Sequence, residues 1–164
     1  MGEPARYSAD PGGSLPSDQY LTFRLGGEEY GVPILAVHEI KGESAITPIP
    51  NAPASLAGVM NLRGTIVPVV DLRVKFGLPA VEDSRLSVIV LVLVGIKIVG
   101  MVVDAVTDVR SFAATDIQGV PEIGAHVGPG FVSGLARAEE KLFVLLDVAK
   151  LLESDEQFAS PRLP

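Results

Sequence analysis

Cysteine is missing altogether from this 164-residue chain, and so is tryptophan. Without a thiol there can be no disulfide, no iron–sulfur ligand and no cysteine nucleophile, which fits a reducing compartment. Histidine occurs twice, as His38 and His126, too few and in contexts too different to hold a metal ion. A basic excess is missing as well. Thirteen Lys and Arg stand against 20 Asp and Glu, for a formal charge of −7, and no cationic stripe exists of the kind a phosphate backbone requires. Large aromatics are scarce, six Phe and three Tyr, so an oligonucleotide-binding barrel would lack its stacking platforms.

Catalytic motifs are absent too. Ser133-Gly134 after Gly130 has the spacing G-x-x-S-G, not the G-x-S-x-G of a nucleophile elbow. The glycine-rich stretch from Gly124 to Gly130 carries no lysine and does not lead from a strand into a helix, so it is no phosphate cradle. No catalytic residue, metal ligand or cofactor is assigned, and a small hydrolase is disfavoured.

One long hydrophobic run is present. Val88 to Val106 is nearly continuous, long enough to suggest a membrane span. Yet Lys97, Asp104 and two glycines interrupt it, and 11 of its 19 residues are β-branched. The break at Gly95-Ile96-Lys97 predicts a buried β-hairpin instead, without membrane insertion.

The strongest signal is internal repetition. Gly31-Val-Pro-Ile-Leu-Ala-Val37-His-Glu39-Ile40 reads against Gly100-Met-Val-Val-Asp-Ala-Val106-Thr-Asp108-Val109, and Val67-Pro-Val-Val70-Asp71-Leu72 against Phe143-Val-Leu-Leu146-Asp147-Val148. The offset is 69 residues in the first echo (Gly31 to Gly100) and 76 in the second (Asp71 to Asp147), so the later copy is about seven residues longer. Self-similarity on this scale predicts two small, similar units in one body, with a cleft between them as the first place to look for a site.

Each copy reads as about five short strands. Leu21, Phe23 and Leu25 alternate with Thr22 and Arg24, and further strands are predicted over Glu28–Pro33, Val37–Lys41, Leu56–Leu62 and Thr65–Val70. Asp71 is positioned to cap a short helix before Gly77 and Pro79, and Asp147 to cap a second. In the later copy, Ser87–Val94, Lys97–Val103, Val106–Phe112, Val132–Ala136 and Leu142–Leu146 repeat the plan, with Gly119–Gly130 as an irregular loop. Many short strands with only short helices predict an all-β fold: two five-stranded barrels packed together, a short helix after each second hairpin. Residues 1–18 and 153–164, polar and rich in proline, read as a disordered and a flexible tail around an interleaved body at 19–152.

Arg63 interrupts an otherwise apolar hairpin just before Gly64. It either keeps the tip soluble or presents a guanidinium to a partner, a role for which a planar, weakly hydrated cation is well suited. In the later copy, Leu135-Ala136-Arg137 lies near the matching place, without the glycine.

The run Gly58-Val-Met-Asn61-Leu62-Arg63-Gly64-Thr-Ile-Val-Pro68-Val-Val-Asp71-Leu72-Arg73 resembles the signature of the CheW family of bacterial chemotaxis coupling proteins. Glu29-Tyr30-Gly31, Val37-x-Glu39-Ile40 and the run from Gly100 to Asp104 fit as well, so the resemblance covers residues 19–152. It implies paired SH3-like barrels with a groove between them. It further implies a non-enzymatic cytoplasmic adaptor, recruited to membrane-associated arrays, that joins the chemoreceptor tip to the regulatory domain of the histidine kinase CheA. An alternative on the same fold is a scaffold for a CheA-type kinase in a non-flagellar pathway. Carried over by residue, the resemblance puts Val37, Glu39, Gly58 and Arg63 at the receptor site, with Gly58 allowing close approach and Glu39 and Arg63 pairing across the seam. Asn61, Gly64, Asp71 and Asp147 take turn and cap roles. It assigns no kinase contacts.

Overall fold

The computed structural model describes residues 19–42, 44–79, 87–119, 122–123, 126–127 and 130–159. The tail expected over residues 1–18 and the side chain of His126 lie outside them. The first copy contributes β1 (Gln19–Leu25), β2 (Glu28–Pro33), β3 (Val37–Lys41), β4 (Leu56–Leu62), β5 (Thr65–Asp71) and a one-turn helix, α1 (Leu72–Lys75). The second contributes β6 (Val88–Val94), β7 (Lys97–Val103), β8 (Ala105–Ser111), β12 (Val132–Ala138), β13 (Lys141–Leu146) and α2 (Val148–Leu151). Two-residue strands β9 (Ile117–Gln118), β10 (Glu122–Ile123) and β11 (His126–Val127) lie between β8 and β12, so the stretch expected as a loop contains short pairings.

The copies do not form one barrel each. One sheet runs β8-β1-β2-β13-β12-β9 and the other β3-β6-β7-β5-β4. The first hairpin of each copy is built into the sheet of the other. Each exchange is completed by a parallel pairing, β2 with β13 and β5 with β7. The repeat holds to the level of register. Gly31 faces Leu145 as Gly100 faces Val69. The β3–β6 ladder shifts between Val37 and Glu39, and β1–β8 shifts at the matching point beside Thr22 and Phe23. β4–β5 and β12–β13 each carry a bulge, between Leu56 and Gly58 and between Val132 and Gly134. An extra residue at equivalent places in both copies bends both hairpins alike.

Three apolar clusters follow from this exchange. Met60, Leu62, Val67, Val69, Ile89, Leu91 and Ile98 fill the five-stranded unit. Phe112, Ala136, Phe143 and Leu145 fill the six-stranded one. The largest cluster lies between the sheets and includes Phe23, Leu25, Val70, Val90, Val92, Met101 and Leu146. Strand β6 therefore sends Ile89 and Leu91 into one core and Val90, Val92 and Val94 into another. A strand buried on both faces must be apolar at every position, which is why this segment resembles a membrane span. Among the described residues no helix is long and apolar enough to cross a membrane, and Val88–Val103 is a hairpin.

At the C-terminal end the polar composition misleads. The expected flexible tail from Glu153 continues as packed structure through Ala159, with a 3-10 turn at Glu156–Phe158. Asp155 is only 2 % exposed and receives Lys75 Nζ of α1 at 2.8 Å, while Phe158 packs against the inter-sheet core. One buried ion pair and one aromatic anchor hold a segment that composition alone reads as unstructured. Residues 160–164 lie outside the described part.

Candidate functional site

The β4–β5 hairpin turns on two residues, Arg63 and Gly64, with φ of 49° and 91°. Positive φ at both central positions is the turn form whose twist matches that of the flanking strands. Asn61 Oδ1 accepts the Gly64 amide at 2.7 Å and fixes the turn. Glycine is at ease in this region, but an arginine there costs roughly 1–2 kcal/mol. The strain projects Arg63 outward, with 66 % of its side chain exposed.

Arg63 Nη2 donates to Glu39 Oε1 at 2.6 Å. This bond holds the Glu39 carboxyl below the usual carboxylate range. The pair does not cross the seam between the barrels. β3, which carries Glu39, and the β4–β5 hairpin stand at opposite ends of the five-stranded order, so the ion pair spans the opening of that one sheet. Residues 44–47 close it further, since Thr47 and Val59 exchange backbone hydrogen bonds at 2.8 and 2.9 Å. His38 does not face strictly away from Glu39. The β3 bulge brings its Nε2 within 3.5 Å of the same Oε1 that Arg63 holds. Val37 is half-buried beside these groups and packs on the inter-sheet core, while Ile40 is 45 % exposed.

Gly58 is buried in the β4 bulge. A Cβ there would run into the Thr47 carbonyl and would come within 2.8 Å of Ile46 Cγ2. The space a side chain would need is therefore already filled by the Ile46–Thr47 segment. Asp71 accepts the Arg73 amide at 3.0 Å at the start of α1, and Asp147 accepts the Lys150 amide at 3.2 Å at the start of α2.

The counterpart of Arg63 is not near Arg137. Residue for residue at the 76-residue offset it is Glu139, which with Glu140 forms the β12–β13 turn at φ of 54° and 64°. Arg110 Nη2 donates to Glu139 Oε1 at 3.0 Å, joining β8 to that tip across the opening of the six-stranded sheet. Both barrels are thus closed by an ion pair from the same hairpin tip with the tip charge reversed, although the partner in the second, Arg110, stands two residues beyond Asp108, the counterpart of Glu39. The offset read from Asp71 and Asp147 contains this answer; what hides it is the lack of a glycine in the second turn.

A further link has no local signature in the sequence. Arg73 Nε and Nη2 donate to Asp104 Oδ1 and Oδ2, both at 2.7 Å, and the Gly26 amide donates to Oδ2 at 2.9 Å. Arg73 holds the Asp104 carboxyl low, and Asp104 raises the Arg73 guanidinium in turn. Asp104 sits where the chain leaves β7 for β8, that is, where it passes from one sheet to the other. A bidentate pair there fixes the crossover. Among the described residues no group of three or more His, Cys, Asp or Glu is arranged to hold a metal ion.

Comparison with known proteins gives a consistent result. Residues 19–156 match the family model for the CheW-like domain. The chemotaxis protein CheW of Klebsiella aerogenes is 42 % identical over 144 residues, 88 % of this chain and 87 % of that protein. Its namesake from Rhizobium meliloti is 36 % identical over 142 residues, 87 % of this chain and 92 % of that one. The crystal structure of the scaffolding protein TtCheW from Thermoanaerobacter tengcongensis superposes with a TM-score of 0.79 at 32 % identity, covering 88 % of this chain and 99 % of that one.

Proposed function

This chain belongs to the CheW-like domain family, and we propose from that premise that it is a non-enzymatic scaffold coupling chemoreceptors to the histidine kinase CheA in chemotaxis. The Arg63–Glu39 pair at the mouth of the five-stranded barrel carries the reading of the receptor site. Arginine has five N–H donors, and the ion pair with Glu39 engages one nitrogen, Nη2. The remaining donors face outward on a strained turn, and strain that persists at an exposed position is a mark of function. Half-buried Val37 and exposed Ile40 supply apolar surface beside the charge, a mixture suited to the side of a helix. In this reading the receptor tip docks on Val37, Glu39 and Arg63, and Gly58 serves the site by letting Thr47 cross close behind it. The protein acts in the cytoplasm, at the membrane-associated receptor arrays. An exposed ion pair adds only about 0–1 kcal/mol to stability, so its value is positional.

The test uses two substitutions. Arg63→Glu is expected to abolish co-sedimentation with a receptor cytoplasmic fragment while leaving the melting temperature nearly unchanged. Arg63→Asn relieves the turn, because asparagine tolerates positive φ, and is expected to match or exceed the parent in stability while still failing to bind. Full receptor binding by either variant would overturn the site. Unchanged CheA activity when the parent is added to receptor and kinase would overturn the coupling role.

A further inference from the structure

The duplication provides an internal comparison of what the scaffold requires. At the 69-residue offset, Thr22, Arg24 and Glu29 of the six-stranded barrel correspond to Leu91, Leu93 and Ile98 of the five-stranded one. Leu91 and Ile98 are buried and Leu93 packs against their cluster. The fold thus accepts apolar side chains at all three places. In the six-stranded barrel they are polar, and Thr22 is completely buried. Its hydroxyl lies 2.8 Å from that of Thr107, which donates to Glu29 Oε1 at 3.2 Å. The Thr22 hydroxyl is satisfied by Thr107 and by the Asp108 carbonyl at 3.2 Å, and Thr107 is exposed, so the network costs the fold little and carries a polar lining from the barrel interior to its surface.

The network opens into a cavity of about 430 Å³ lined by Arg24, Glu29, Thr107, Asp108, Arg110 and Lys141, among others. A second cavity of about 300 Å³ shares Arg24, Glu29 and Lys141 with it. Three cations thus converge from three strands, β1, β8 and β13. Of the three carboxylates that line the two cavities, Glu28, Glu29 and Asp108, Glu29 is engaged by Thr107 and, at 3.5 Å, by Arg24, and Asp108 by the Val109 amide at 2.8 Å. Arg110 is steadied by the Phe143 ring, 5.0 Å away, and spends one nitrogen on Glu139, which is 70 % exposed. Among the described residues Lys141 has no hydrogen-bond or ion-pair partner. The whole chain is acidic, with a formal charge of −7. Around the two cavities the cations are offset by Glu28, Glu29, Asp108 and Glu139, so what the mouth offers an anion is three convergent donors, of which Lys141 is unpaired among the described residues, and not a net positive field.

We propose that this barrel mouth binds a small ligand bearing a dianionic oxyanion group, a phosphoryl or polycarboxylate, held by Arg24, Arg110 and Lys141. Arginine's planar fork suits such oxygens and lysine adds a point charge. Two probes, inorganic pyrophosphate and citrate, are titrated into the full chain at low salt, followed by calorimetry and backbone amide shifts. Saturable one-to-one binding is expected, with shifts confined to residues 24–29, 105–110 and 141–143. Tighter binding of pyrophosphate assigns a phosphoryl ligand, and tighter binding of citrate a polycarboxylate. Lys141→Gln and Arg24→Gln, at exposed positions, should each weaken binding roughly tenfold, the size of one charge-assisted hydrogen bond. Arg63→Gln should leave it unchanged, which separates this site from the receptor surface. A titration that never saturates, shifts spread over the surface, or equal affinity in the Lys141→Gln and Arg24→Gln double variant would overturn the proposal.

Discussion

Replacing Gly58 with alanine asks whether that glycine is explained by the Thr47 backbone behind it. The added Cβ meets the Thr47 carbonyl and Ile46 Cγ2, so Thr47 must move. Moving it strains two hydrogen bonds, Thr47 N to Val59 O and Val59 N to Thr47 O. Each such bond contributes about 0.5–1.5 kcal/mol, and overpacking a tight site adds about 1–3 kcal/mol. Because relief of the clash and loss of the bonds are alternatives in part, the expected destabilisation is about 2–4 kcal/mol. For a body of this size that is a fall in melting temperature of roughly 6–12 °C. Differential scanning calorimetry measures the fall, and amide exchange at Thr47 and Val59 locates it. Well below the transition, receptor binding should survive within a few-fold. An alanine variant that melts like the parent yet fails to bind would refute the reasoning, because the glycine would then be needed by the partner and not by Thr47.

Acid should weaken the protein in a defined direction. Glu39 and Asp104 are both held low in the folded state, so the stability they contribute is complete above the ordinary carboxylate range and is lost as pH falls through their lower folded values. Denaturant midpoints measured downward from neutral pH should decline there, and Asp104→Asn should flatten the decline. Asp104→Ala leaves the Arg73 guanidinium, at about four-fifths burial, bonded to the Pro79 carbonyl but without its carboxylate, and should cost about 2 kcal/mol by urea unfolding, less than a fully buried pair because water still reaches it. Changing the second turn to Asn-Gly through Glu139→Asn and Glu140→Gly relieves two strained residues, and a thermal melt should rise by a few degrees despite the loss of the Arg110 pair.

Local features were the readable ones. Arg63-Gly64 between two alternating runs predicts a hairpin because turn chemistry is written in adjacent residues, and Asp71 and Asp147 announce helix starts for the same reason. The echo from Gly31 to Gly100 predicts twin units. It does not say which hairpin joins which sheet. Pairing Gly31 with Leu145 or Val69 with Gly100 leaves no trace in neighbouring residues, since any strand apolar on both faces could serve. The resemblance implies the Arg63–Glu39 partnership but not which gap it bridges (the barrel mouth, not the seam), because two barrels offer two kinds of opening and sequence spacing does not distinguish them. Asp155 and Phe158 are invisible to composition because two anchoring residues in a polar stretch leave its average unchanged.

The hairpin exchange has a consequence for how the chain can be taken apart. Cut between the copies, it would give two pieces: one with three strands of the five-stranded sheet and the central pair of the other sheet, the second with four strands of the six-stranded sheet and the central pair of the first. Neither piece could roll up alone, because β5 needs β7 and β13 needs β2. Mixed together, they would have one way to satisfy both vacancies, and that way restores the parent. Mutual dependence of this kind couples the melting of the two barrels, so a disturbance felt at one mouth is communicated to the other through shared strands and not through a hinge.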